Sequence, residues 1–341
     1  MKFDKTAIRR MVIPILIFPF LGFMIFVFRI LPINWLRSFA TYIGTWVFKL
    51  ADRSRERAIT NLSNVYGNEI CQEKCKCMAQ QVFIEMIKSF FDYIAYSRLT
   101  NKERFFSLVE VEGEEYLKAA YEQGKGVICL VPHVSSWEFA AITPPMLGYE
   151  TSAASKAMKM KILEKKMIKF RARRGMKNIT RESSYTKLVD VLRKGECLVL
   201  MIDQDTKVKS LFVDFMGKKA YTPIGASRLA LETGALIVPM VMTRKDNDNY
   251  RFIIYPEVPV TNTGNLENDL FENTQRQTKV LEDIIRTYPT QWVWMHSRWR
   301  TTPESLEEYY YYKEKNASLN NLYTYTTDLH IQQDGVNKPV I

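Results

Sequence analysis

The chain reads as an α/β protein, a mixed and mainly parallel sheet flanked by helices, with one membrane helix at its N-terminus. Three observations predict this. Unbroken apolar runs such as Val127-Ile-Cys-Leu-Val131, Cys197-Leu-Val-Leu-Met-Ile202 and Leu236-Ile-Val-Pro-Met240 are what strands buried on both faces require. Helical stretches of about ten residues that stop at glycine lie between them, the alternation that builds a parallel sheet. An uncharged apolar run from Met11 to Phe28 precedes them all.

The elements follow in chain order. Continued through Leu31, the first run is long enough to cross about 30 Å of hydrocarbon. Lys2, Lys5, Arg9 and Arg10 stand before it, and Arg29 can snorkel to the interface. The run is too long for a signal-peptide core, and no small-residue cleavage site follows. Pro14, Pro19 and Gly22 would kink the helix, so a segment dipping into one leaflet is the alternative to a full span. Basic residues flank both sides, with Arg53, Arg55 and Arg57 downstream, so charge does not orient it. Trp35 to Leu50 is aromatic-rich and suits the headgroup zone.

Arg53–Leu62 and Gln80–Leu99 read as helices, the second from the helical spacing of Val82, Met86, Phe90 and Tyr93. Val109-Glu-Val-Glu-Gly113 alternates as a strand, and Glu114–Glu122 is a helix ended by Gly124-Lys-Gly126. After the first buried strand, Tyr185–Lys194 forms a helix that stops at Gly195 before the second. Ile224–Glu232 is helical up to Gly234, the third strand follows, and Phe252-Ile-Ile-Tyr255 is a fourth. From Glu304 the chain turns polar and carries the Tyr309–Tyr312 cluster. The expected organisation is thus an anchor and interfacial helix over residues 1–50, a folded domain over 51–302 and a polar tail over 303–341.

Apolar residues at 47% and charged residues at 25% of 341 supply a core and exclude wholesale disorder. A net charge of +11 predicts acidic partners, whether an anionic membrane surface, an acidic protein or nucleic acid. The basic residues are spread out and no familiar nucleic-acid motif appears, so no nucleic-acid partner is expected. Five cysteines, three of them at positions 71, 75 and 77, fit neither a disulfide scaffold nor a zinc knuckle. Three scattered histidines and no carboxylate cluster give no metal site, and no cofactor is implied.

His133, in Val131-Pro-His-Val-Ser-Ser-Trp-Glu138, stands just past the first buried strand, where α/β sheets collect ligands. An imidazole that removes a hydroxyl proton needs its other nitrogen held by an acceptor, and Glu138 is one helical turn away. The residue-level expectation is therefore His133 as general base, Glu138 as its orienting acid, and Trp137 packed below. His296, among tryptophans, suits packing and positioning better than proton transfer, and His330 lies in the tail.

His133 and Glu138 at this spacing resemble the His-x-x-x-x-Asp/Glu signature of glycerolipid and lipid A acyltransferases. Further segments narrow the resemblance to the late acyltransferases of lipid A biosynthesis, the lauroyl/myristoyl transferases. These are Arg57-Ala-Ile-Thr-Asn-Leu62, the stretch from Gly113 to Glu138, Arg171-Ala-Arg-Arg-Gly175, Met201-Ile-Asp-Gln204, Phe212–Gly217 and Tyr288-Pro-Thr-Gln-Trp-Val-Trp-Met-His-Ser-Arg-Trp299. The family usually has Gly-Asn where this chain has Ser135-Ser136.

The resemblance implies a glycerolipid-acyltransferase-like fold and transfer of a fatty acyl chain to a hydroxyl of a lipid A precursor. The donor would be a thioester of acyl carrier protein or coenzyme A. The enzyme would sit on the cytoplasmic side of a bacterial inner membrane. It assigns Arg171 and Arg173, with Arg173 preferred, to a phosphate or the oxyanion, and places Asp203 and Gln204 beside His133. On the residues alone, the arginines are equally a solvated basic helix face and Asp203 a turn former. The competing readings are an acyltransferase for another lipid, such as a mannosylated phosphatidylinositol or a glycerophospholipid, and a non-catalytic membrane-surface binding protein.

Overall fold

A computed structural model describes residues 31–96, 101–155, 160–180, 185–206, 208–305 and 307. The expected membrane helix over 11–31 lies outside the described residues but for Leu31, as does almost all of the tail. Among the described residues no helix is long and apolar enough to cross a membrane.

The described chain runs α1 (Ile33–Leu50), α2 (Asp52–Tyr66), α3 (Gln72–Ala95), α4 (Lys102–Phe106), β1 (Val109–Glu112), α5 (Glu114–Glu122), β2 (Val127–Leu130), α6 (Trp137–Leu147), β3 (Thr151–Ser155) and α7 (Lys161–Ala172). It continues through β4 (Met176–Thr180), α8 (Tyr185–Arg193), β5 (Cys197–Leu200), β6 (Ser210–Phe215), β7 (Lys218–Pro223), α9 (Gly225–Thr233), β8 (Leu236–Arg244), β9 (Tyr250–Ile254) and α10 (Leu266–Thr287). β6 and β7 form a separate antiparallel hairpin, and the other seven strands make one sheet in the order β1-β9-β8-β2-β5-β3-β4. Within that sheet only β8–β9 is antiparallel, so the mixed, mainly parallel sheet expected from the apolar runs is what the chain forms.

Both faces of the sheet are covered, which is why its central strands read as unbroken apolar runs. Alternate residues serve opposite cores. Ile128, Leu130, Leu198, Ile237 and Val241 face α2, α3 and α8–α10. Val127, Cys129, Val131, Cys197, Val199 and Val238 face α5 and α6. β2 hands the chain to β3 on one side of the sheet, and β5 hands it towards β8 on the other. The neighbours β2 and β5 thus flank a topological switch point, whose crevice opens at their carboxyl ends.

The helix expected over Gln80–Leu99 starts earlier, because Cys75 and Ala79 extend the buried stripe of Val82 and Phe83 by two turns. α1 packs on it through Leu36, Ala40, Phe91 and Ile94. Gly44 lets the helices touch, since a Cβ there would lie 2.7 Å from the Ile84 Cα. The other side of α1 carries an exposed row, Trp35, Phe39, Tyr42, Trp46 and Leu50. Arg37 turns inward from the same helix and meets Asp92, which is shared with Arg244 and the Tyr250 hydroxyl. Arg244 also bonds Glu85, and together Tyr250, Asp92 and Glu85 outweigh its burial and hold its guanidinium above the usual pKa range.

Candidate active site

The register of β2 on β5 builds the site. Leu130 pairs with Leu200, so His133 and Asp203 each stand three residues past that paired position, on adjacent parallel strands. The His133 backbone N–H donates to Asp203 Oδ2 at 2.7 Å, and its Nδ1 meets Asp203 Oδ1 at 2.7 Å. The Trp292 indole Nε1–H donates to the same Oδ2 at 2.8 Å. Asp203 is fully enclosed while the imidazole is partly exposed. Burial alone would raise the Asp203 carboxyl; the charge of His133 and the three hydrogen bonds outweigh it and hold the pKa at about 2.

An ionised Asp203 accepts, so Nδ1 carries the proton and Nε2 presents a lone pair. Nε2 has no hydrogen-bond partner among the described residues. Trp137 packs against the imidazole as the sequence suggests, with centroids 5.4 Å apart and planes at 58°.

The expected role of Glu138 is corrected here. Its carboxylate does not hold the imidazole; it lies in the first turn of α6 and receives a two-point clamp from Arg171 on α7. Arg171 Nε donates to Oε2 at 3.0 Å and Nη2 to Oε1 at 2.7 Å. The third arm, Nη1, reaches Asn178 Oδ1 at 2.7 Å, and the Ser155 hydroxyl donates to the same oxygen. A buried guanidinium needs such a partner, and Arg171 is buried. Arg173 is not brought to the centre. Two residues on a helix lie about 200° apart, so with Arg171 turned inward Arg173 is exposed at the end of α7. Gln204 is half-buried beside Asp203 and makes none of these bonds.

What the residue pattern missed is the segment that holds the loop from behind. Gln291 accepts the Ser135 N–H on its backbone oxygen at 2.8 Å, and Val134 forms a bridge to Trp292. The Gln291 side chain closes a two-way pair with the Arg244 backbone, Oε1 accepting at 2.8 Å and Nε2 donating at 3.1 Å. Asn61 on α2 donates to the Trp294 and His296 carbonyls, and Thr301 N with Arg300 binds buried Asp205. The Arg57–Leu62 and Tyr288–Trp299 stretches, noticed as sequence segments, therefore act together as one brace. His296 belongs to this layer, and burial lowers its imidazole below the usual range. Ser135 takes φ +47°, the left-handed region that favours glycine. The turn is therefore kept although the chain has serine there.

Among the described residues no group of three or more His, Cys, Asp or Glu side chains is placed to hold a metal. The arrangement sets one partly exposed imidazole against a buried carboxylate.

Known proteins resemble the chain over most of its length. The family model described as bacterial lipid A biosynthesis acyltransferase matches residues 4–301. A lipid A biosynthesis acyltransferase of Haemophilus influenzae is 23% identical over 78% of this chain and 82% of that protein. The lipid A biosynthesis palmitoleoyltransferase of Escherichia coli is 28% identical over 57% of this chain and 62% of its own length. A phosphatidylinositol mannoside acyltransferase of Mycolicibacterium smegmatis is 24% identical over 54% and 60%.

Proposed function

The chain belongs to the bacterial lipid A biosynthesis acyltransferase family and is an acyltransferase, and from that premise we propose that it moves a fatty acyl chain from a thioester to a hydroxyl of a lipid A precursor. The donor is acyl carrier protein or coenzyme A. The site of action is the cytoplasmic side of a bacterial inner membrane.

The single observation that carries the reading is the His133–Asp203 pair at the carboxyl ends of β2 and β5. Nε2 of His133 takes the proton as the acceptor oxygen attacks the thioester carbonyl. The tetrahedral adduct collapses with loss of thiolate, and the proton on Nε2 passes to the departing sulfur. Products are an ester and a thiol, and no residue of the enzyme is acylated. Asp203 keeps the proton on Nδ1 throughout and stabilises the imidazolium that forms. Glu138 and Arg171 join the start of α6 to α7 and so set the wall beside the base.

The row of Trp35, Phe39, Tyr42 and Trp46 on α1 supports a bilayer surface as the workplace, since Trp and Tyr rings favour the water–lipid boundary. It stands directly after the apolar run of the sequence.

The likeness to phosphatidylinositol mannoside acyltransferases supports a second reading, in which the acceptor is a mannosylated phosphatidylinositol. One experiment separates the two. Purified enzyme is given acyl carrier protein and coenzyme A thioesters of several chain lengths with each acceptor, and the lipid product is weighed by mass spectrometry. An added acyl ester on the lipid A precursor, lost in His133→Ala, is expected. Product on the mannolipid alone replaces the acceptor, and full activity of His133→Ala overturns the mechanism.

A further inference from the structure

α7 is the most basic helix of the fold. Lys161, Lys165, Lys169 and Arg173 follow one another at four-residue spacing, with Lys166 alongside, and all five are exposed. Four-residue spacing places side chains in one row on a helix, and from 161 to 173 that row is about 18 Å long. Glu164 is the only acidic residue of the helix, and it pairs with Lys161. Lys165, Lys166, Lys169 and Arg173 have no carboxylate partner among the described residues. Ile162 lies among these cations and is half exposed. The inward side of the same helix carries Phe170 and Arg171, and Arg171 grips Glu138, five residues beyond His133. The cationic row is therefore the outer side of a wall whose inner side belongs to the site.

We propose that this row is the docking surface for an acidic acyl carrier protein, which it holds beside the crevice of His133. The inference rests on the acyl-transfer reading above and names the partner that delivers the thioester. Charge complementarity selects the partner: a row of cations interrupted by few apolar side chains fits an acidic protein surface. A nucleotide carrier needs a concave pocket, and this is the convex side of a helix. A bilayer is matched instead by the aromatic row on α1, whereas α7 exposes no aromatic ring and only Ile162 and Ile168 as large apolar side chains.

The test uses full-length enzyme and two probes, lauroyl-acyl carrier protein and lauroyl-coenzyme A. The variant Lys165→Glu/Lys166→Glu/Lys169→Glu reverses exposed charges that hold no ion pair among the described residues. Its kcat/KM with the carrier protein should fall between about 10- and 1000-fold, as expected when electrostatic steering is reversed. Transfer from lauroyl-coenzyme A should be unchanged, which shows the fold and the base intact. The glutamine version should lose less, and added salt should weaken wild type towards it. Lys218→Glu, on the β6–β7 hairpin, should have no effect. Direct binding of the carrier protein is measured in parallel, so docking is read without turnover. His133→Ala that binds normally but transfers nothing supports both readings. His133→Ala that still transfers removes the proposed chemistry and leaves docking to the binding data. Unchanged carrier binding in the triple variant overturns the proposal. So does loss of binding to phosphatidylglycerol–phosphatidylethanolamine vesicles in place of the carrier, which would make the row a lipid contact.

Discussion

Asp203→Asn is the sharpest perturbation of the site because the surrounding donors dictate how asparagine must sit. Two N–H groups, the His133 amide and the Trp292 indole, converge on Oδ2. The asparagine oxygen has to take that place, which forces its NH2 to face His133 Nδ1. Nδ1 then becomes an acceptor and the proton moves to Nε2, the atom that should act as base. A wrong tautomer of this kind costs about 10⁴-fold in kcat in serine proteases, and a loss of that order is expected here. The fold should survive, since every hydrogen bond keeps a partner. Glu138→Gln should behave differently. It breaks a buried two-point ion pair, costs about 3–5 kcal/mol of stability, and leaves the tautomer alone. Acyl-transfer rates are measured beside nitrogen-15 NMR of labelled histidine. Asp203→Asn should show Nε2 protonated, and Glu138→Gln should keep the proton on Nδ1. The reasoning fails if Asp203→Asn retains more than a tenth of the wild-type rate, or if Glu138→Gln alone changes the tautomer.

Other expectations come from the same packing. Ser135→Gly should stabilise the protein by about 1 kcal/mol, because an L-residue in the left-handed region is strained and the Ser135 hydroxyl has no partner to lose. A thermal melt that moves down would contradict this. Arg244→Met takes the guanidinium from Glu85 and Asp92, leaving Asp92 to Arg37 and the Tyr250 hydroxyl and Glu85 to Gln81, and should cost about 3–5 kcal/mol by urea unfolding; a loss below about 1 kcal/mol would show the network to be dispensable. Asp203 carries a pKa of about 2 in the fold against an ordinary 3.8. The unfolded chain therefore binds more protons in acid, and stability rises with pH. About 2 kcal/mol is present above pH ~4 and disappears as pH falls through about 2. Urea unfolding should show a shallower acid slope in Asp203→Asn than in wild type, and equal slopes would refute the linkage.

Much of the sheet is legible in the residues because its central strands are apolar throughout. The helix of Glu114–Glu122 and the strand from Val109 are read nearly to the residue. β3 and β4 escape that reading: Thr151-Ser-Ala-Ala-Ser155 and Met176-Lys-Asn-Ile-Thr180 offer no apolar run, and β4 lies at the sheet edge. His133 is legible from its place after a buried strand; Asp203 beside it comes only with the resemblance, and that it, not Glu138, holds the imidazole is not legible. Glu138 is near in sequence, whereas Asp203 comes from 70 residues away through strand pairing. A usable signal existed: both residues follow buried strands and end at the same offset from the paired position. Arg171 and Arg173 look alike in sequence, and helix rotation alone decides which of them turns inward.

One feature of the loop constrains the encounter itself. Asp203 grips His133 both by its main chain and by its ring, while Trp137 lies along one flank of that ring. Such an imidazole cannot swivel to meet an incoming alcohol. Under the proposed chemistry the lipid would have to be steered to a stationary acceptor of its proton. A ring held this way would meet every acceptor in the same pose, whatever the length of the chain being moved.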